Sequence, residues 1–446
     1  MAAARCLYPP RVVSRRLSST EAIRPAFNAW SHPPSNAAIS DSEINSLAAK
    51  PRRPLTLADL VKHGKPPLSD EALISSANFT LSHLPARLAH RIQALRNLPF
   101  IVVSNPSINK IYNNYLHSLS TLEPFYKKHI TTIEEEVRFT EAMADLVETH
   151  ANTIPILSRG FLQSRKYIDA AETTRFLEQH LRARIGTRLV AEQHLALHMA
   201  STGNVSNQHL SDNHIGVIDT ALRPADIVLS CQNFVGEICE LNYGIRPSLV
   251  INGETDAEFA HIPMHLEYIF TELLKNAFRA TVESGNERYP VEVTIAAAPD
   301  VPHTKLDALR QMSVTPDRSC DFSQAGLDEY CAEGAADVGL NSAAPSITLR
   351  IRDRGGGIPP ETLPNVWAYS FTTFNADDST SAENGNSDGL NAISNGSDTS
   401  TLAGLGYGLP LSRAYAEYFG GGIAVETMYG WGTDVYLTLQ GIAKVK

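Results

Sequence analysis

The stretch HLEYIFTELLKNAFRATVESG, residues 265–285, sets four polar residues at helical spacing: Glu272, Lys275, Asn276 and Arg279. Separations of three, four and seven put them on one helix face, while Leu266, Ile269, Phe270, Leu273 and Ala277 form an apolar stripe on another. An acid, two cations and a carboxamide on one face can serve a metal-bound polyphosphate. The carboxamide offers a neutral oxygen to Mg²⁺, the cations neutralise phosphate oxygens, and the carboxylate can take a proton. Taken alone, the same face also reads as a solvated surface with charge pairs one turn apart.

Three later blocks add to it. In DRGGGIPP, Asp353 closes an alternating strand, and Gly355, Gly356 and Gly357 allow a sharp bend or close approach to a flat ligand. A carboxylate there can accept the exocyclic amine of adenine, although a plain turn has the same composition. AGLGYGLPLSRAYAEYFGGG sets Gly404, Gly406 and Gly408 at alternate positions and then runs into a helix. Such a turn is an anion site, because free backbone N–H groups and the helix dipole face the same point. It is neither a Walker loop nor a dinucleotide fingerprint. Finally GWGTDVYLTL leads from Gly432 and Thr433 into a last strand.

Two kinds of element must position these blocks. From about 55 to 205 the periodicity is helical, in four long segments. One has Leu84, Leu88, Ile92 and Leu95 on a face, and another has Val137, Met143, Leu146 and Val147. This predicts an antiparallel four-helix bundle. After about 215, period-two alternation marks strands at Val291, Val293 and Ile295, at Ile347, Leu349 and Ile351, and at Val435, Leu437 and Leu439. The second domain, 215–446, is therefore expected as an α/β sandwich, and the fold class as α+β. Segments 299–344 and 375–402 read as insertions, the latter polar enough to act as a mobile lid.

The 446 residues carry a formal net charge of −10 and 43% hydrophobic residues, which argues against a general nucleic-acid binder and a membrane span. Five cysteines without a C-x-x-C pair suggest neither a disulfide framework nor a zinc site. Residues 1–27 are basic, serine-rich and without an acid before Glu21, the composition of a mitochondrial presequence, and 28–54 reads as a linker.

In this order, E-x-x-K-N-A-x-x-A, D-x-G-G-G, G-x-G-x-G-L and G-T-D resemble the ATP site of the GHKL superfamily, which has a Bergerat-type sandwich. ELLKNAFRATVE, DRGGGIP, YSFTT, GLGYGLPLSRAYAEYFGG and GTDVYLTL further resemble the mitochondrial 2-oxo acid dehydrogenase kinases. So do LPARLAHRIQALRNLPFIVVSNPSI, IPILSRGF and RARIGTRLVAEQHLALH in the helical half.

The resemblance implies Glu272 as general base toward a substrate serine, with Lys275 and Arg279 beside the phosphates and Asn276 on Mg²⁺. It implies Asp353 on adenine, with Gly355, Gly357, Thr372, Thr373 and Thr433 in the same pocket. Gly404, Leu405, Gly406, Tyr407, Gly408 and Leu409 would wrap the ATP phosphates. It also implies a matrix enzyme, usually a dimer, that docks through its helical bundle on the lipoyl-bearing acyltransferase core and phosphorylates the dehydrogenase component.

Tyr268 stands where the pyruvate dehydrogenase kinases have a histidine one turn before the glutamate, and the chain ends at Lys446 without their long C-terminal tail. Both favour the branched-chain complex over the pyruvate complex. A sensor histidine kinase would need a phospho-acceptor histidine in an H-[ED]-x-x-x-P type context, which His180, His194 and His198 lack. A non-catalytic lipoyl-binding scaffold would lose Glu272 or Asn276, and a repair or chaperone ATPase would not carry the helical domain.

Overall fold

The computed structural model describes residues 39–52, 54–202, 213–298, 345–369 and 406–442. The presequence, both insertions, and the expected site residues Thr372, Thr373, Gly404 and Leu405 lie outside the described residues.

Helices α1 (Asp41–Ala48), α2 (Leu57–Val61), α3 (Asp70–Arg96), α4 (Phe100–Val103), α5 (Pro106–Lys127), α6 (Ile133–Thr149), α7 (Thr153–Ser164) and α8 (Ala170–Ser201) form the first half. The four long ones, α3, α5, α6 and α8, pack on one another as the expected bundle. Their starts are set by side-chain caps: Ser69, Asn105, Thr132 and Asp169 each accept a backbone N–H from the first turn. Leu84, Leu88, Ile92 and Leu95 are buried as their spacing demands.

Two expectations for this half change. The stretch read as a linker contains α1, capped by Ser40, which buries Ile44 and Leu47 against α3. On α6, Val137 is exposed, and the inward positions fall to Glu136, Phe139, Met143 and Leu146. Glu136 is tolerated inside because Thr140 Oγ1 and His198 Nδ1 bond its carboxylate, at 3.1 and 2.9 Å. His180 bonds Tyr115 Oη at 3.0 Å, and His194 lies between Ser76 and Thr140, also at 3.0 Å from each.

The second half runs β1 (His214–Ile215), β2 (Ile218–Leu222), α9 (Pro224–Tyr243), β3 (Leu249–Gly253), β4 (Phe259–His261), α10 (Pro263–Glu283), β5 (Val291–Ala297), β6 (Ser346–Arg352), α11 (Gly408–Tyr418), β7 (Gly422–Met428) and β8 (Gly432–Gln440). The main sheet has the order β3-β5-β6-β8-β7, with only the β3–β5 pair parallel. Its register lines up the alternating apolar residues: Ile295 opposite Leu349, Leu349 opposite Leu437, and Leu437 opposite Ile423. These side chains face Leu266, Phe270, Leu273 and Ala277 of α10 and Val228 and Val235 of α9 in one core. A small sheet, β1-β2-β4, stands apart from the main one.

The two halves share packing. Tyr268, Tyr369, Tyr407, Leu411 and Ala414 belong to the helical domain's core cluster, and α11 lies against α8. Among the described residues, no helix is long and apolar enough to cross a membrane.

Candidate nucleotide site

Helix α10 begins with Pro263 at its first turn, where the missing N–H costs nothing, and stops at Gly285, whose φ of +69° an L side chain resists. Twelve of its 21 residues are buried, so its polar face is confined to one side. Glu272 lies at the edge of that face and is buried. Lys275 Nζ donates to Glu272 Oε1 at 2.5 Å, and both side chains are largely covered. Burial pushes the Glu272 carboxyl above its ordinary 4.5, and the neighbouring Lys275 ammonium works against that shift.

Gly408, the first residue of α11, abuts the same carboxylate. A β-carbon at Gly408 would overlap Glu272 Oε2. A side chain here would have to push the carboxylate aside, and the glycine lets the helix N-terminus with its N–H groups come up beside the acid. Gly406, two residues earlier, has φ +73°. The turn at 406–408 is thus anchored on Glu272 across the domain.

Asn276, next to Lys275, is exposed, and Arg279 is half-buried with its Nε on Glu283 Oε1 at 2.7 Å. Among the described residues, no group of three His, Cys, Asp or Glu could hold a metal ion. Asn276 therefore fits a cation that takes most of its ligands from phosphate and water, as Mg²⁺ does. It does not fit one caged by protein.

Asp353 ends β6 in a buried position. Its Oδ1 accepts from Gly355 N at 2.8 Å and Thr433 N at 3.3 Å, and its own N–H donates to Thr433 O at 3.0 Å. Burial raises the carboxyl above its ordinary value, and the two backbone donors oppose that. The glycines here have specific causes. Gly355 lies against Ala280, Gly357 against the Met428 carbonyl, and Gly432 against the Asp353 carbonyl, each without room for a β-carbon.

Arg352 holds Asp434 through two bonds, at 2.7 and 2.6 Å, which draws the Asp434 carboxyl below its ordinary range. Thr427 Oγ1 accepts from Ile358 N at 2.7 Å and lies 3.2 Å from Thr433 Oγ1. A carboxylate, two hydroxyls and a glycine-lined bend are thus brought together at the ends of β6 and β8.

Helix α10 and the turn at 406–408 bring Glu272, Lys275 and Gly408 together, and the ends of β6 and β8 bring Asp353, Gly355, Gly357 and Thr433 together. Tyr407 differs from its expected role. Its side chain is fully buried and meets the Tyr369 ring edge-on at 5.4 Å, so it packs the seam between domains and only its backbone is left for a ligand. Leu409 is half-buried against the sheet-side core. The residues that brace the Asp353 loop, Thr427 and Asn286 among them, are missed by motif reading. The glycine-flanked turn around Trp431, with Gly430 at φ +85°, is the signal that could have located them.

Comparison with known proteins gives the same picture. Residues 54–219 match the family described as mitochondrial branched-chain alpha-ketoacid dehydrogenase kinase, and residues 321–441 match the histidine kinase-, DNA gyrase B-, and HSP90-like ATPase family. The chain is 29% identical over 406 residues to [pyruvate dehydrogenase (acetyl-transferring)] kinase 1, mitochondrial, of Saccharomyces cerevisiae, covering 90% of this chain and 87% of that protein. It is 27% identical to the Arabidopsis thaliana pyruvate dehydrogenase kinase, over 86% of this chain and 90% of the relative. With isozyme 4 of Rattus norvegicus the identity is 26%, over 92% and 86%. The helical half and the ATPase half each match in their own right, and the relatives run through both, so the chain is similar along its length to the mitochondrial 2-oxo acid dehydrogenase kinases of the GHKL superfamily, which are ATP-dependent protein kinases.

Proposed function

We propose that this kinase transfers the γ-phosphoryl group of Mg²⁺·ATP to a serine on the dehydrogenase component of a 2-oxo acid dehydrogenase complex in the mitochondrial matrix, lowering that component's activity. The observation that carries the reading is Glu272, a buried carboxylate fixed by Lys275 on one side and by Gly408 at the start of α11 on the other. In this reading the serine Oγ bonds to the γ-phosphorus as the bond to the β,γ-bridging oxygen breaks. ADP leaves with that electron pair, and Glu272 takes the hydroxyl proton. Lys275 keeps the carboxylate ionised and oriented. The N-terminus of α11 faces the developing charge on the phosphates. Asn276 holds the metal, which neutralises phosphate charge when bound. Asp353 accepts the adenine amine, with Gly355, Gly357 and Thr433 around it, and Arg279 gives up Glu283 to face the phosphates. The helical bundle docks on the lipoyl-bearing core, and two copies form the working unit.

For the acceptor, Tyr268 favours the branched-chain component. It occupies the position one turn before Glu272 and is buried with its ring 5.1 Å from that of Tyr415. A second reading, the pyruvate component, is favoured by the names of relatives that span nearly the whole chain.

The deciding experiment offers the full chain each dehydrogenase component at matched concentration, with and without its lipoyl-bearing core, and measures ³²P transfer from ATP. Acid-stable phosphoserine on the branched-chain component, increased by the core, is the expected result. Preference for the pyruvate component moves the acceptor and keeps the chemistry. Acid-labile label on the kinase with no serine product overturns the reading.

A further inference from the structure

The loop Asp353-Arg354-Gly355-Gly356-Gly357 has two side chains: Asp353 Oδ1 accepts from Gly355 N and Thr433 N, and Arg354 reaches outward to two neighbouring turns. The Arg354 guanidinium carbon lies 5.2 Å from the centroid of the Tyr289 ring and 5.3 Å from that of Trp431, within the range of cation–π attraction. Tyr289 belongs to the turn between α10 and β5, and Trp431 to the turn between β7 and β8. One cation therefore joins three separate turns. Backbone bonds run alongside it: Asn286 Nδ2 donates to Arg354 O at 2.8 Å, Gly356 N to Trp431 O at 3.3 Å, and Gly430 N to Gly356 O at 2.7 Å. Tyr289 and Trp431 are 51% and 62% exposed, and both rings lie about Arg354.

We propose that Arg354 is a positioning residue for nucleotide recognition. Held between Tyr289 and Trp431, it fixes the glycine-rich loop so that the Asp353 carboxylate keeps its aim at the base. Three consecutive glycines give the loop freedom that must be removed before a single acceptor can discriminate between bases. The two flanking turns, through their rings and the backbone bonds beside them, remove it. Arginine suits the task better than lysine, because its planar group can lie against two rings at once. This inference rests on Asp353 being the group that reads adenine.

Its test measures KM and kcat for ATP and for GTP, together with thermal stability, in the full chain carrying Arg354→Ala, Arg354→Lys, Trp431→Ala, Trp431→Phe or Asp353→Ala. Loss of two exposed cation–π contacts predicts that Arg354→Ala raises KM for ATP about tenfold. The ATP-over-GTP preference should narrow with it, and kcat should move less than KM. Trp431→Ala should follow in the same direction, Trp431→Phe should restore most of the effect, and Arg354→Lys should fall between. Loss of kcat and stability together with an intact ATP-over-GTP ratio would make Arg354 a structural residue only and overturn the proposal. So would unaltered ATP recognition in both Arg354→Ala and Trp431→Ala while Asp353→Ala loses it. Intact ATP recognition in Asp353→Ala would instead remove the site reading on which the proposal stands.

Discussion

Gly408 and Glu272 are in contact, the first residue of α11 resting against the carboxylate of α10 so closely that no side chain fits between them. This joins the glycine-rich turn to the carboxylate proposed as the general base and makes Gly408 more than a flexible position. Its φ is not in the left-handed region, so alanine is admissible to the backbone, and only the approach to Glu272 forbids it. Gly408→Ala should displace Glu272 and lower kcat on the order of 10²-fold, as misplacement of a reacting group does. Circular dichroism should remain that of the parent. Kinetics within twofold of the parent would show that the contact is dispensable.

Glu272→Gln keeps the shape and removes the base. It should retain nucleotide binding by calorimetry and lose on the order of 10²-fold or more in turnover. Equal turnover would place the proton acceptor elsewhere.

The Lys275–Glu272 pair makes a pH prediction with a definite sign. Burial raises the Glu272 carboxyl and Lys275 lowers it. A base works only when ionised, so the acidic limb of the kcat profile should lie above pH 4.5. Removing the cation in Lys275→Met leaves burial unopposed, and the limb should move further up in pH. A limb that stays in place or moves down would contradict the assignment of that limb to Glu272.

Much of the site was legible because its information is local. Spacings of three, four and seven put Glu272, Lys275, Asn276 and Arg279 on one face without knowledge of the rest. The alternation Ile347, Leu349, Ile351 similarly gave the strand that ends at Asp353. What was hidden depends on partners distant in sequence. Helical periodicity cannot show that Glu272 is buried, since part of what lies against it, Gly408, is distant in sequence. Tyr407 sits between Gly406 and Gly408 yet turns into the core, where it meets Tyr369.

The exposed Val137 and the buried Glu136 invert a simple apolar count, and the bonds from Thr140 and from His198 on another helix make that inversion tolerable. Strands β1, β2 and β4 are two to five residues long, too short for alternation to register. The end of α1 could have been found from Ser40 and the acids Asp41 and Glu43, a helix-start signature inside a Ser- and Ala-rich stretch.

Covered histidines in both halves of the chain contribute to the acid limit of the fold, His150, His180, His194, His261 and His265 among them. Burial holds His194 and His261 at about 4 and His150 and His265 at about 3, all far below the ordinary value of 6.5. In the unfolded chain the same side chains take up protons as pH falls through about 6.5. Between that value and about 4 the unfolded state therefore binds more protons than the folded one, so stability rises with pH across the window and is lost as pH falls through it. The effect is a depressed histidine pKa, opposite in sign to a histidine stabilised by a carboxylate. Urea midpoints measured at intervals from pH 7.5 to 4.5 should be flat above about 6.5 and decline steadily below it. His194→Gln, which keeps a polar group between Ser76 and Thr140 but cannot titrate, should start lower at neutral pH and show a shallower decline. A midpoint that holds constant down to pH 4.5, or a variant whose decline is as steep as the parent's, would mean that these rings are protonated in the folded protein and that burial does not govern them.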